Sequence, residues 1–294
     1  MTEKVFLNGK IVDADKAMVP VSDVGFLYSA GLFETMQSRN DIVFALNDHL
    51  DRLMYSIKAL KMQDVYDKKY FSDAIYQTLK ANRIRDARIR LTFTNGSTTD
   101  AKEQRPTVLV KTTKFQGYPA DYYQNGVKVT LSSFKQNATD PTISHKTSNY
   151  FSRLLTLSKA NEAGAVESLR FTTDNKLAEG CVSNVFLVKD SVLYTPPIET
   201  HILAGIARNL ICILALKNSI RLQEDDLFIS ELLGADEVFI SNVIMQVLPV
   251  TSIEKHQVGD GKPGPLTKKL ADLFEHEVQK QCKCKLSSDS GKKS

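Results

Sequence analysis

The sequence lacks the features that mark several broad classes of protein. It has four cysteines in 294 residues, too few for a disulfide framework. No stretch reaches the roughly eighteen apolar residues of a membrane-spanning helix. The formal net charge is only +4, and the last fifteen residues hold five lysines. The rest of the chain is near neutral, so neither nucleic acid nor a membrane is an expected partner.

Motifs for metals and nucleotides are also missing. Cys282 and Cys284 are too close in sequence for a zinc-binding pair and have no His/Cys cluster nearby, so no metal site is predicted. Cys181 and Cys212 are expected to pack as small apolar side chains. Neither GxGxxG nor GxxxxGK[ST] occurs. The first residues, Met1 to Lys4, lack the apolar run of a signal peptide, and we expect a cytoplasmic protein.

The first 115 residues predict a small α+β domain. Asn8-Gly9 between two apolar runs indicates a β-hairpin. A helix is expected to follow Asn47 or Asp48, because apolar residues then recur at a spacing of three and four. The other predicted elements are a helix at 69–82 and strands at 32–36, 42–46, 87–94 and 107–113.

A second, larger domain is predicted for residues 125–285, after a linker at 116–124 that begins with the turn chemistry of Gly117 to Pro119. Residues 286–294 are expected to form a flexible basic tail. Strands and helices mix without regular βαβ alternation, which favours an α+β fold class. The expected elements are helices at 148–163, from Gly205 and around 266–274, with strands at 127–132, 168–173, 184–189, 192–195 and 237–241.

Lys146 stands where the sequence predicts the start of a helix capped by Thr147 or Ser148. A cation there opposes the positive end of the helix dipole, and burial would lower the pKa of the amine, as Schiff-base chemistry requires. A lysine at a helix start is more often a solvated surface group. The residue alone leaves both interpretations open.

Two further segments have both a functional and an ordinary interpretation. Glu179-Gly180 precedes a small polar turn and a strand, which would aim a carboxylate inward, but the same letters fit a plain turn. Gly205 opens a predicted helix, where free backbone N–H groups bind phosphate, but most helix starts bind nothing.

Taken together, these segments resemble the class IV pyridoxal-phosphate enzymes, the fold-type IV family of branched-chain aminotransferases, D-amino acid aminotransferases and aminodeoxychorismate lyases. The similarity extends over nearly the whole chain. The matching segments are 6–10, 21–28, 31–35, 49–53, 146–150, 179–186 and 202–208.

The resemblance implies a two-domain enzyme with pyridoxal 5'-phosphate in the cleft between the domains. Lys146 would link the cofactor covalently and move the α-proton of a small-molecule amino substrate. Glu179 would face the pyridine nitrogen, and Arg52 would bind the phosphate. The remaining cofactor contacts would come from Tyr150, Leu203, Gly205, Ile206, Ala207, Ser241 and Asn242.

The resemblance also assigns residues that periodicity places elsewhere. Arg52 lies off the apolar stripe of its helix and by pattern alone faces solvent, whereas the family requires it in the cleft. Tyr28, Phe33 and Arg90 would lie beside the substrate, although Tyr28 and Phe33 also fit ordinary core positions. Family members close each active site with residues of a partner subunit, so a homodimer is implied.

Two segments favour a 4-amino-4-deoxychorismate lyase, which releases pyruvate and p-aminobenzoate. They are the Asn-containing loop Ser241-Asn242-Val243 and the strand Phe33-Glu34-Thr35. The strand 86–91 is instead similar to branched-chain enzymes, with Arg88 in place of their usual tyrosine. The lyase is therefore the expected activity, and a branched-chain or D-amino acid transaminase using 2-oxoglutarate is the alternative.

Overall fold

The computed structural model describes residues 2–97 and 105–283, so the predicted tail at 286–294 and Cys284 lie outside the described residues. The described strands form two sheets, one of six strands and one of nine. The α+β fold class is confirmed. Among the described helices, none is both long enough and apolar enough to cross a membrane.

The six-stranded sheet is built from residues 4–114. Its strand order is β2-β1-β6-β5-β3-β4. The strands are β1 (Lys4–Leu7), β2 (Lys10–Asp13), β3 (Gly31–Arg39), β4 (Ile42–Val43), β5 (Ala87–Thr94) and β6 (Thr107–Lys114). The helices of this part are α1 (Val24–Tyr28), α2 (Leu46–Ala59) and α3 (Lys68–Asn82).

Strand β5 shows how this sheet separates its core from its other face. Ala87, Ile89 and Leu91 are fully buried and pack with apolar residues of α2 and α3. Because strand side chains alternate between faces, Arg88 and Arg90 point away from this core. The second face of the sheet is thereby free to line a cleft.

The nine-stranded sheet begins after residue 126. Its main strand order is β12-β11-β10-β13-β14-β7-β8-β9, with β15 paired to β14. The strands are β7 (Val127–Leu131), β8 (Glu167–Phe171), β9 (Leu177–Gly180), β10 (Asn184–Lys189), β11 (Val192–Thr195), β12 (Leu222–Glu224), β13 (Glu237–Asn242), β14 (Gln246–Ile253) and β15 (His256–Gln257). The helices are α4 (Ala120–Asn125), α5 (Phe151–Glu162), α6 (Ile206–Lys217), α7 (Ile229–Leu233) and α8 (Pro265–Gln281).

Central strand β10 is buried on both faces, with five of its six residues inaccessible. Phe186 and Val188 pack with α6 and α8, whereas Val185 and Leu187 join a separate core with α7. A strand covered on both sides reads as a continuous apolar run, which is the pattern of Asn184-Val185-Phe186-Leu187-Val188.

The segment that carries Lys146 pairs with the six-stranded sheet. Leu32 of β3 forms an isolated antiparallel bridge with Thr147. The Phe33 N–H donates to the Lys146 carbonyl at 2.9 Å, and the Ser148 N–H donates to the Gly31 carbonyl at 2.7 Å. The segment that carries Lys146 is thus held as an extra strand against β3.

Several predicted boundaries are wrong. The helix expected at 148–163 begins only at Phe151, because residues 147 and 148 pair with β3. Helix α2 begins at Leu46, after Ala45 in a left-handed conformation (φ 50°), so neither Asn47 nor Asp48 caps it and the strand predicted to 46 ends at Val43. The 116–124 segment contains most of α4, which follows Pro119. The domain limits themselves stay a prediction.

Asp23 anchors the segment that leads into β3. It is 1% exposed, caps α1 through the Gly25 N–H (2.7 Å), and accepts bonds from the hydroxyls of Thr94 (2.8 Å) and Thr107 (2.7 Å). Asp23→Ala should lower the free energy of unfolding by about 2–4 kcal/mol, because two buried hydroxyls and a helix N–H lose their acceptor. Urea denaturation measures the change.

Asp15→Ala removes an exposed carboxylate from the short 3-10 helix at Ala14–Lys16 and is the matched control. Its unfolding midpoint should equal that of the unmodified protein. Equal midpoints for Asp23→Ala and Asp15→Ala would contradict the anchoring role.

Candidate active site

A cleft of about 510 Å³ lies between the two sheets. Twelve of the thirteen residues predicted to bind cofactor or substrate line it together. They are Phe33, Arg52, Arg90, Lys146, Tyr150, Glu179, Leu203, Gly205, Ile206, Ala207, Ser241 and Asn242. Residues that are more than 200 positions apart in sequence therefore converge on one site.

Tyr28 is the exception. It ends the short helix α1, its side chain is 73% exposed, and it does not line the cleft of its own chain. The left-handed turn at Ser29 ends α1 and leads the chain directly into β3, so Tyr28 stays on the surface. Its expected contact with substrate is not made within the single chain.

The Lys146 amine lies 4.6 Å from the centre of the Phe33 ring and 6.0 Å from that of Tyr150. Burial, followed by the neighbouring Arg52 cation, lowers the pKa of Lys146 to about 7, although Glu34 opposes the shift. The helix dipole is not the cause, because α5 begins five residues later. A neutral amine at neutral pH is a nucleophile.

Arg52 enters the cleft from α2, where the apolar stripe predicts a solvent-facing residue. Its side chain is only 11% exposed. Both Nε (2.9 Å) and Nη2 (2.6 Å) donate to the Glu34 carboxylate, and Nη1 donates to the Ala204 carbonyl at 2.9 Å. The family-based prediction of its position is the one that agrees with the structure.

The Glu34 carboxylate contacts both Arg52 and a buried histidine, His49. His49 Nδ1 lies 2.7 Å from Glu34 Oε2, while His49 Nε2 is buried without a hydrogen-bond partner. Burial would raise the pKa of Glu34, but Arg52 and His49 lower it to about 2. Burial lowers the pKa of His49 itself. The carboxylate is therefore ionised at every physiological pH.

Glu179 lies at the end of β9 and lines the same cleft as Lys146. Its Oε2 accepts from the Leu203 N–H at 3.0 Å, and its Oε1 accepts from Arg153 Nη2 at 2.6 Å. The side chain is 3% exposed. A buried, oriented carboxylate at the wall of a cleft suits a cationic ring nitrogen.

A cradle for an anion is formed where α6 begins. Gly205 is the N-cap residue, and Ile206 and Ala207 provide the first free N–H groups of a twelve-residue helix. A Cβ at Gly205 would collide with Asn184 Oδ1, so glycine is required there. The hydroxyl of Ser241 is fully buried, lines the same cleft and has no hydrogen-bond partner.

Asn242 lines the cleft with its side-chain amide already engaged. Its Oδ1 accepts from the N–H groups of Ile244 and Met245, both at 2.8 Å, and its Nδ2 donates to the Val182 carbonyl at 3.0 Å. Asn242 therefore shapes the turn between β13 and β14.

Sequence reasoning did not assign Arg88 or Arg153 to the site. Arg88 lines the cleft beside Arg90, whose guanidinium lies 3.7 Å from the Phe33 ring centre. Neither Arg88 nor Arg90 has a carboxylate partner among the residues that the structure describes. The alternation of core-facing and outward-facing side chains along β5 was the sequence signal that could have placed Arg88 in the cleft. For Arg153, the only signal was an arginine early in the helix that follows Lys146.

Comparisons with known proteins agree with this geometry. The sequence profile of "Amino-transferase class IV" matches residues 31–253. A "Putative branched-chain-amino-acid aminotransferase" of Methanocaldococcus jannaschii is 33% identical over 92% of this chain and 95% of its own length. The D-alanine aminotransferase of Bacillus licheniformis is 30% identical over 94% and 97%. The chain belongs to the class IV aminotransferases.

Solved structures share the fold. The branched-chain amino acid aminotransferase of Escherichia coli superposes with a TM-score of 0.90 at 27% identity, covering 98% of both chains. A "Putative 4-amino-4-deoxychorismate lyase" of Legionella pneumophila has a TM-score of 0.81 at 22% identity, covering 90% of this chain and 97% of its own, which shows the common fold alone.

Enzymes of this family use pyridoxal 5'-phosphate. The cleft fits that cofactor by its own chemistry: an amine of lowered pKa, a buried carboxylate, and an anion cradle with one buried hydroxyl lacking a partner. No group of acidic, histidine and cysteine side chains among residues 2–97 and 105–283 has the geometry of a metal site.

The pKa of Lys146 is directly testable in the protein stripped of cofactor. Labelling of amines with trace acetic anhydride, followed by peptide mass spectrometry, should show Lys146 reacting half-maximally near pH 7. Arg52→Met should raise the Lys146 midpoint, because a cation that disfavours the charged amine is removed.

In the loaded enzyme, borohydride reduction should attach the cofactor to the same peptide, and Lys146→Ala should abolish both signals. A Lys146 midpoint near 10, or cofactor on another lysine, would contradict the assignment.

Proposed function

We propose that Lys146 is the catalytic residue of this enzyme and that the residues around it hold pyridoxal 5'-phosphate by its two ends. Arg52, Ser241 and the first N–H groups of α6 bind the phosphate, and Glu179 bonds the pyridine nitrogen. Tyr150 lies at the phenolic oxygen and Leu203 packs on the ring. The observation that carries this proposal is the buried Lys146 amine, with a pKa of about 7, placed near Glu179.

The chemistry follows from these positions. The bound cofactor withdraws electrons from the α-carbon of an amino substrate. Glu179 keeps the proton on the pyridine nitrogen, which makes that withdrawal effective. The Lys146 amine, once free of the cofactor, would take the α-proton and, in a transamination, deliver it to the carbon that carried the cofactor's aldehyde. Phe33 and Tyr150, which contact each other edge to face at 5.2 Å between ring centres, screen the amine from water.

We further propose that the reaction is transamination, although the sequence led us to expect a lyase. The two segments that favoured the lyase have internal roles. The Asn242 amide is consumed by its own turn, and Glu34 is turned toward Arg52 and His49, away from any substrate. The relatives that are 30% identical or more carry aminotransferase names.

The second substrate we propose is a dicarboxylic 2-oxo acid such as 2-oxoglutarate. Arg88 and Arg90 project into the cleft from alternate positions of β5, about 7 Å apart along the strand. Both lack a carboxylate partner among the described residues. An unpaired guanidinium at a cleft wall binds a carboxylate in bidentate geometry. The pair suits an acceptor with a second carboxylate.

A side-by-side assay separates the two chemistries. Branched-chain L-amino acids or D-alanine with 2-oxoglutarate should give glutamate. The amino donor alone should bleach the visible band of the cofactor until an oxo acid is added. Aminodeoxychorismate alone should give neither pyruvate nor p-aminobenzoate. Formation of both products without any oxo acid would overturn transamination in favour of the lyase.

Arg88→Met tests the acceptor within the same assay. The KM for 2-oxoglutarate should rise about tenfold or more, because a charge-assisted contact is lost, while the KM for a monocarboxylic acceptor should change little. The KM of Arg88→Lys for 2-oxoglutarate should lie between the values for the unmodified protein and for Arg88→Met. Equal effects on both acceptors would contradict a dicarboxylate site.

We propose that the protein is a homodimer, which would place the exposed Tyr28 of one subunit where a partner can use it. Large apolar side chains stand in solvent on both sides of the β3–Lys146 junction. They include Val21, Phe26 and Phe151, each at least 74% exposed. Isolated exposed apolar residues are normal, but several near one cleft are typical of an interface.

Light scattering should report about twice the 32.8 kDa chain mass. Phe26→Asp combined with Phe151→Asp should dissociate the particle, because charges would be buried at the interface. Val65→Asp, at an exposed apolar position between α2 and α3, should not. A monomer in an active preparation would contradict the dimer.

A further inference from the structure

Arg153 bonds three consecutive residues at the end of β9. Its Nη2 donates to Glu179 Oε1 at 2.6 Å, and its Nη1 donates to the carbonyls of Gly180 (3.2 Å) and Cys181 (3.1 Å). The side chain is 11% exposed and lines the cleft. A planar guanidinium with two terminal nitrogens makes this pattern possible, and an ammonium does not.

The position of Arg153 in the chain links two parts of the site. It is the third residue of α5, whose start follows the segment that carries Lys146. Its contacts reach Glu179, at the end of β9. The one side chain therefore connects the lysine segment to the carboxylate that faces the ring.

The two oxygens of Glu179 are fixed by different donors. Arg153 binds Oε1, and the Leu203 N–H binds Oε2. Each oxygen retains acceptor capacity, since a carboxylate has about four lone-pair sites. The plane of the carboxylate is set before any ligand arrives.

A second buried arginine lies beside Glu179. Arg170 lies directly opposite Glu179 in the β8–β9 register, is 5% exposed, and has an Nη1 without a hydrogen-bond partner. Burial lowers the pKa of Arg170, and the Arg153 cation adds to that shift.

We propose that Arg153 is a positioning residue that acts on the cofactor through Glu179: it fixes the carboxylate in the plane in which it accepts a hydrogen bond from the protonated pyridine nitrogen. This inference rests on the role proposed above for Glu179. The hydrogen bonds of Arg153 go to Glu179 and to two backbone carbonyls. Arg153 therefore supports the carboxylate rather than the reacting atoms.

A double-mutant cycle on cofactor binding tests this inference. The dissociation constant of pyridoxal 5'-phosphate is measured by titrating the cofactor-free protein. Arg153→Gln should raise it about tenfold to hundredfold, as loss of a charge-assisted bond requires. Adding Arg153→Gln to Glu179→Gln should have little further effect, because the residue through which Arg153 acts is already altered.

A spectroscopic signature separates positioning from general support of the fold. With the cofactor labelled with ¹⁵N at the pyridine nitrogen, the chemical shift of the Arg153→Gln enzyme should move toward the unprotonated value. Arg153→Lys can still donate to Glu179 but lacks the two terminal nitrogens of the guanidinium, so it should recover only part of the shift and part of the affinity. Should Arg153→Gln fail to fold, Arg153→Lys alone still gives the affinity comparison.

Lys159→Met is the matched control, because it removes an exposed cation from the same helix α5 outside the cleft. It should leave both measurements unchanged. Additive losses in the cycle, or an unchanged ¹⁵N shift in Arg153→Gln, would overturn the inference alone. An unchanged dissociation constant in Glu179→Gln would overturn the proposed role of Glu179, and the inference with it.

Discussion

The site depends on one electrostatic arrangement, the burial of the Lys146 amine near two arginines. Burial deprives a cation in that position of water, and the nearby Arg52 charge opposes it further, so the pKa of the amine is lowered. Each arginine is bound by its own carboxylate, Arg52 by Glu34 and Arg153 by Glu179. The two ion pairs keep the arginines in place, and their carboxylates partly offset the effect of the arginines on the lysine.

These pairs also give the cleft its polarity. The Arg52–Glu34 pair lies toward the start of α6, where the free N–H groups and the Ser241 hydroxyl favour an anion. The Arg153–Glu179 pair presents a carboxylate, which favours a cationic ring nitrogen. A ligand with a phosphate at one end and a basic nitrogen at the other is thereby oriented by charge alone.

Much of this could be predicted from the sequence, for reasons that differ between residues. The core strands were found because alternation and apolar runs at 87–94 and 184–189 follow directly from burial. Arg52 was placed correctly only by family resemblance, since helical periodicity assigns it to solvent. The helix after Lys146 was predicted too early because its first residues pair with β3, a tertiary contact that no local pattern contains.

The residues that sequence reasoning missed depend on the meeting of distant segments. Arg153 matters only because β9 ends beside α5, and His49 only because β3 buries Glu34 against α2. Asn242 was read as a sign of substrate chemistry, whereas its amide closes a turn. Local sequence gives no indication of which partner a polar side chain will find.

Substitutions in strand β5 have two kinds of effect, depending on which face of the sheet the residue occupies. Ala87, Ile89 and Leu91 belong to the core, while Arg88 and Arg90 meet only the cleft. Replacing a cleft-facing residue changes what the wall recognises and leaves the packing behind it intact. The fold can therefore acquire new substrates by substitution at positions 88 and 90 of one strand, without first having to recover lost stability.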